Sequence, residues 1–153
     1  MPGVRRRERE QRLTTTIWTI GHGDRSFDQI ERYLNDVGIS MIVDVRREPD
    51  RSSSNDFRRR RIERLAADAG MGYRWLGGSL GSDLPTDRRA GLADLMALAS
   101  MAATVVLCRE ADAVTCRRAT VIAPMLSAGG IAVVHILADG STRRHETPLP
   151  FDT

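Results

Sequence analysis

The sequence predicts an α/β fold: a mostly parallel sheet of about five strands, helices on both faces in a Rossmann-like arrangement, and a C-terminal hairpin. Two observations carry this expectation. Short apolar or β-branched runs alternate with stretches of about 10–15 residues at helical spacing, the pattern of βαβ units. Side chains with chemistry in them (histidine, carboxylate, arginine, cysteine) end or follow those runs, where open α/β sheets hold their ligands.

Ile17–Ile20 is the first strand run and ends at Gly21-His22-Gly23-Asp24. Ser26 is placed to cap a helix through about Val37, with Phe27, Ile30, Tyr33, Leu34 and Val37 at helical spacing and Gly38 as its stop. Met41–Val43 begins a second strand, leading into Asp44-Val45-Arg46-Arg47-Glu48-Pro49. Ser52–Asn55 reads as a loop, and a helix from Asp56 to Ala69, with Phe57, Ile62, Leu65 and Ala66 on one side, closes at Gly70. Met71–Leu76 is a third strand run, ending in a Gly77-Gly78 turn, and Thr86–Ala102 is helical. Thr104–Cys108 is a strand followed by a polar turn, and a helix spans Thr115–Leu126 with Pro124 bending its last turn. Ile131–Leu137 is the fifth strand, and Asp139-Gly140 signals a hairpin into Thr142–Glu146.

The chain of 153 residues is expected to form one α/β domain over residues 14–153, preceded by a basic, disordered tail over residues 1–13. The net charge of +3 sits wholly in that tail, which holds Arg5, Arg6, Arg7, Arg9 and Arg12 against Glu8 and Glu10; beyond it arginines and acids balance. Such an arm would add salt-sensitive affinity for nucleic acid. Arg58–Arg61, four consecutive arginines, are the other candidate for an acidic partner. The chain contains no lysine, which excludes Schiff-base chemistry and a Walker-type phosphate lysine. Every fixed cation is an arginine, suited to bidentate recognition of carboxylate or phosphate. No apolar run approaches the ~20 residues that span a bilayer, so no membrane partner is expected. Two cysteines in a chain of this length fit a cytoplasmic protein with free thiols.

Gly21-His22-Gly23-Asp24-Arg25-Ser26 nearly matches a dinucleotide-binding turn but lacks its third glycine. A phosphate at this helix N-terminus is the reading it leaves, and no cofactor is assigned. Asp44 and Arg46 share a strand face if the strand continues there; they form an internal salt bridge, or Asp44 caps neighbouring turns, or Arg46 binds a substrate anion and Asp44 orients it. Cys108 and Cys116 are either small buried or capping residues, nucleophilic thiols, or metal ligands with His22 or His135. Arg117, Arg118 and a helix N-terminus would activate Cys116, whereas no close-spaced ligand pair supports a metal. Val114 rules out a cysteine phosphate loop of the C-x5-R type.

In order, the turns read Thr19-Ile-Gly21-His22, Asp44-Val-Arg46-Arg-Glu-Pro49, Leu76-Gly77-Gly78, Cys108-Arg-Glu110 with Cys116-Arg117-Arg118, and His135-Ile136. In that order they resemble the domain of unknown function 488 family of small bacterial and archaeal proteins, over most of residues 17–146. The resemblance implies an α/β fold and a shared pocket but no reaction. Two positions depart from the family pattern: Gly23 stands where the family has serine, and Arg117 where it has histidine.

The function expected is that of an enzyme, or an enzyme-like binder, acting on a small phosphate- or nucleotide-like anion. Arg46 and Arg118 would hold the anion beside Gly77, Gly78 and His135. Cys108 or Cys116 would be the thiol, Glu110 or Asp44 the acid/base, and His22 or His135 the proton carrier. The alternative is a non-catalytic nucleic-acid-binding or regulatory module that uses the arginine tail and helix.

Overall fold

The computed structural model describes residues 15–112 and 118–146. Among these residues six strands form one sheet in the order β3-β2-β4-β1-β5-β6: β1 Thr16–Gly21, β2 Met41–Asp44, β3 Gly72–Trp75, β4 Thr104–Cys108, β5 Ala132–Ile136 and β6 Thr142–Arg144. The first five are parallel; β6 returns antiparallel to β5 through the Asp139-Gly140 turn, as the hairpin signal requires. Relative to the 3-2-1-4-5-6 order of dinucleotide-binding domains, β1 and β4 have exchanged places.

Helix α1, Phe27–Asp36, starts at a capping box: the Ser26 hydroxyl accepts from the Gln29 N–H, and the Gln29 side chain accepts from the Ser26 N–H. Gly38 and Gly70 follow the first two helices with φ of +77°, a conformation that stops a helix and that a side chain resists. Helix α2 runs Arg59–Asp68, three residues shorter at its start than its spacing predicts. Asn55–Phe57 instead makes a tight turn that buries Phe57 completely. The Gly77-Gly78 turn is the start of a one-turn helix, α3 Gly77–Leu80, followed by α4 Pro85–Met101. The last helix differs most from expectation. Arg118–Ile122 makes a wide turn of π type and α5 spans only Ala123–Ala128. Pro124 has no N–H to close an ordinary α turn onto Thr120, so the backbone widens before it. Residues 115–117 of the expected helix and the whole 1–13 tail lie outside the described residues. Among the described residues no helix is long and apolar enough to cross a membrane.

Strand alternation splits the core in two. Ile20, Ile42, Val105, Leu107 and Ile136 meet Phe27, Ile30, Leu34, Phe57 and Ile62 beneath α1 and α2. Ile17, Val43, Val106, Cys108 and Val133 meet Leu80, Leu95, Ile122 and Leu126 beneath α3, α4 and α5. Each fully buried aliphatic or aromatic side chain contributes about 1.5–3 kcal/mol.

This layering locates the site. The step from β1 to β2 runs toward the β3 edge, and the step from β4 to β5 runs toward β6. Crossovers of one hand moving in opposite directions must use opposite faces. The chain therefore leaves β1 for one face and the neighbouring β4 for the other, opening a crevice at their carboxyl ends.

Candidate functional site

The floor of this crevice is a buried ion pair. Asp44, the last residue of β2, is 0% exposed. Its carboxylate accepts from Arg46 twice, from Nε at 2.8 Å and Nη2 at 2.7 Å, and from the Arg46 backbone N–H at 3.1 Å. The Tyr73 hydroxyl donates to the same carboxylate at 2.5 Å. Tyr73 is paired with Ile42 in the sheet, so it shares the face of Asp44 two residues on. Burial, and then the adjacent Asp44 carboxylate, push the Tyr73 pKa up, so this hydroxyl acts as a donor. Four donors on one carboxylate satisfy a charge that would otherwise be costly to bury.

Arg46 also reaches across the crevice, with Nη1 at 3.3 Å from Nε2 of His22. His22 follows β1 and is held by the sheet itself, its backbone N–H donating to the Cys108 carbonyl at 3.0 Å. Nδ1 lies 2.9 Å from the Gly23 carbonyl, which can only accept, so Nδ1 carries the proton and Nε2 presents its lone pair toward Arg46. Burial holds the His22 pKa below its ordinary 6.5, the Gly23 bond opposes this, and the Arg46 charge adds to the lowering. The imidazole stacks on Phe57 with centroids 4.3 Å apart and planes 12° from parallel. Tyr73, Asp44, Arg46 and His22 thus form one hydrogen-bonded chain, fixed at one end by a strand and at the other by an aromatic face.

Above this floor is a cleft of about 890 Å³, lined by His22, Arg46, Cys108, Arg109 and Glu110 and by the 47–53 segment. Its arginines are in different states. Arg47 pairs with Asp83 at 3.0 Å and also donates to the Gly81 carbonyl. Arg51 pairs with Glu48 at 3.2 Å on the exposed rim. Arg109 is close enough to His22 to depress its pKa further. Among the described residues neither the Arg109 guanidinium nor the Glu110 carboxylate has a hydrogen-bond or ion-pair partner, and both are exposed.

Cys108 reaches the cleft from the other side of the sheet. It belongs to the core beneath α3 to α5, is buried, and its Sγ lies 3.5 Å from the Glu110 carbonyl. Asp44 and His22 belong to the opposite face, with Phe57 and Tyr73. The cleft therefore brings together His22, Arg46, Cys108 and Glu110, with Asp44 directly beneath, but the thiol and the imidazole approach it from opposite sides.

The remaining expected residues have other positions. The N-terminus of α1 does not present a vacant anion site: Asp56 Oδ2 accepts from the Phe27 N–H at 3.0 Å, and the capping box uses the neighbouring N–H groups. A carboxylate of the chain itself occupies the place where the turn after β1 suggested a phosphate. Gly77 packs under the cleft wall; a Cβ there would lie 1.9 Å from the Arg46 carbonyl oxygen. Gly78 lies against the Trp75 ring. His135 forms a separate cluster within the sheet, with Nδ1 2.5 Å from Thr19 Oγ1 and Nε2 3.0 Å from His145 Nδ1. Cys116 and Arg117 lie outside the described residues, as does the side chain of Arg118. Among the described residues no group of three or more histidine, cysteine or carboxylate side chains could hold a metal.

Tyr73, Phe57, Asp56 and Arg109 were not singled out by the sequence. Tyr73 could have been found by strand parity once β2 and β3 were known to be neighbours. Phe57 was visible only as a core residue. The chain matches no family model, no curated protein and no solved structure.

Proposed function

We propose that the cleft binds a small phosphate- or nucleotide-like anion and acts on it as an enzyme or enzyme-like site. The observation that carries this reading is Arg109, a guanidinium without a partner among the described residues, set beside neutral His22 and the buried Asp44–Arg46 pair. An isolated buried ion pair adds little stability over apolar packing, so its position under a cleft favours a functional role. Arg109 would meet the anion first. Arg46 Nη1 would donate its second N–H to the anion while the rigid fork of Nε and Nη2 stays on Asp44, and His22 Nε2, beside it, would carry the proton. Of the two carboxylates considered for acid/base work, Asp44 is committed to Arg46 and Tyr73, which leaves Glu110 for that role. Cys108 is the thiol nearest the ligand.

Membership of the domain of unknown function 488 family belongs to the same proposal. Contacts between the residues of the matching turns support it: His22 to Arg46, Gly77 to the Arg46 carbonyl, His22 to Cys108, and Thr19 to His135. On its layering we group the fold with Rossmann-like sheets. A cytoplasmic setting fits Cys108, which is not in a disulfide.

Thermal unfolding with inorganic phosphate, pyrophosphate and nucleoside monophosphates tests the reading. A ligand at about one hundred times its Kd stabilises by about 2.7 kcal/mol, and Arg109→Ala is expected to abolish the shift while leaving the unliganded Tm unchanged. No shift with any of these anions, or the same shift in Arg109→Ala, would reject it.

A further inference from the structure

We infer that the anion of the cleft is one nucleotide of a single-stranded nucleic acid, whose backbone continues over Ser52 and Ser53 onto Arg58–Arg61 at the start of α2. The inference rests on the anion-binding reading of the cleft and names its substrate class.

Three observations support it. First, the cleft and the arginine run are joined. The wall residues Arg51–Ser53 and the adjoining Asp50 are tied to the start of α2, with Asp50 Oδ1 accepting from the Arg59 N–H at 3.2 Å and the Ser52 carbonyl accepting from Arg58 Nε at 3.3 Å. A strand leaving the cleft past Ser52 and Ser53 meets these arginines next. Second, the run is exposed and, among the described residues, its guanidinium groups make no ion pair, although Asp50, Asp56 and Glu63 lie near it in the chain. Arg58, Arg59, Arg60, Arg61 and Arg64 are all exposed, and the first turn of α2 holds no acid. The positive end of the helix dipole disfavours cations there, as does the like-charged pair Arg60 and Arg64 four residues apart. A row of backbone phosphates relieves both.

Third, the track carries a stacking surface. The Arg59 guanidinium lies 4.7 Å from the Trp75 ring centroid, and Trp75 Nε1 donates to the Arg46 carbonyl at 2.7 Å. The arginine–tryptophan pair is therefore anchored to the residue that forms the cleft floor. Unpaired bases stack on such guanidinium and aromatic planes, whereas bases within a duplex are already stacked on one another. The size of the cleft points the same way: about 890 Å³ lies in the range of a small-molecule pocket, large enough for one nucleotide and too small for a double helix.

The test uses the full chain, AMP, and labelled oligonucleotides of about ten residues, single-stranded and duplex, between about 50 and 200 mM salt. Binding is read by calorimetry for AMP and by anisotropy for the strands. The single strand is expected to bind at least about tenfold more tightly than AMP. Arg60→Glu with Arg61→Glu should remove that advantage and leave AMP binding unchanged. The milder pair Arg60→Gln and Arg61→Gln should lower the salt slope by about 1.4, at about 0.7 per lost phosphate contact; it provides the same comparison if the charge-reversed protein does not fold. Arg109→Ala should weaken AMP and strand together. The inference is overturned if the strand binds no more tightly than AMP, if the duplex binds equally well, or if the advantage survives the Arg60 and Arg61 changes, which would place it elsewhere, as on the arginines of residues 5–12. AMP binding that depends on Arg109 without any strand advantage would reject the inference and retain the anion site. Strand binding that ignores Arg109, with no AMP binding, would reject both.

Discussion

Asp44 and Arg46, two residues apart in sequence, form a bidentate pair in which the carboxylate is 0% exposed and the guanidinium side chain 7% exposed. The pair is local in sequence but not in support. Tyr73 from β3 closes it on one side and His22 from the turn after β1 on the other. Removing one partner leaves the other charged and buried, which is more harmful than losing both.

Asp44→Asn is therefore expected to destabilise the protein by about 3–5 kcal/mol. Tyr73→Phe removes one hydrogen bond to a charged acceptor and should cost about 1.5–3 kcal/mol. Denaturant titration gives both values. Combining Tyr73→Phe with Asp44→Asn should cost clearly less than their sum, because the hydroxyl's ionic partner is already gone. Strict additivity would mean that the Tyr73 bond is not made.

Gly77→Ala should cost about 3 kcal/mol, the upper end of what overpacking typically does, because the new Cβ meets the Arg46 carbonyl and the Trp75 indole nitrogen, neither of which is the end of a flexible chain. Gly78→Ala meets only the Trp75 ring at 3.3 Å and should be much milder. Equal Tm values for the two variants would contradict this packing.

Stability should fall with acidification from about pH 6.5, the ordinary histidine value. His22 is held neutral in the fold, mainly by burial, and His145 is lowered by burial in the same direction. A depressed pKa means that the unfolded chain takes up the proton first, so stability is full above the unfolded value and is lost until pH passes below the folded one. His22→Asn keeps a donor for the Gly23 carbonyl and carries no titrating group. It should flatten the decline of Tm below about pH 6.5, and His145→Gln should remove the remainder. An unchanged slope in both variants would exclude these histidines as its source.

Arg60→Glu with Arg61→Glu should raise the unliganded Tm, because each change puts a favourable charge at the start of α2 for about 0.3–1 kcal/mol. A gain in stability accompanied by a loss of strand binding would separate the arginines' binding role from any folding role. A fall in Tm would show that they support the helix in a way that the dipole argument does not capture.

The sequence by itself determined the layer architecture, because alternating strand and helix periods leave few ways to bury both faces of a parallel sheet. It also determined the strands themselves, the cap at Ser26, the stops at Gly38 and Gly70, and the strand ends where His22, Asp44 and Cys108 stand. Those features depend on neighbours a few residues away. Tertiary structure decided which strand ends meet, since order within a sheet is set by crossovers that no local pattern encodes. Placing β4 between β1 and β2 brought Cys108 to His22 and left His135 with Thr19 and His145. It also gave Asp44 to Tyr73 and the α1 N-terminus to Asp56, 29 residues apart in each case, and left Arg109 as the arginine facing the cleft without a partner among the described residues.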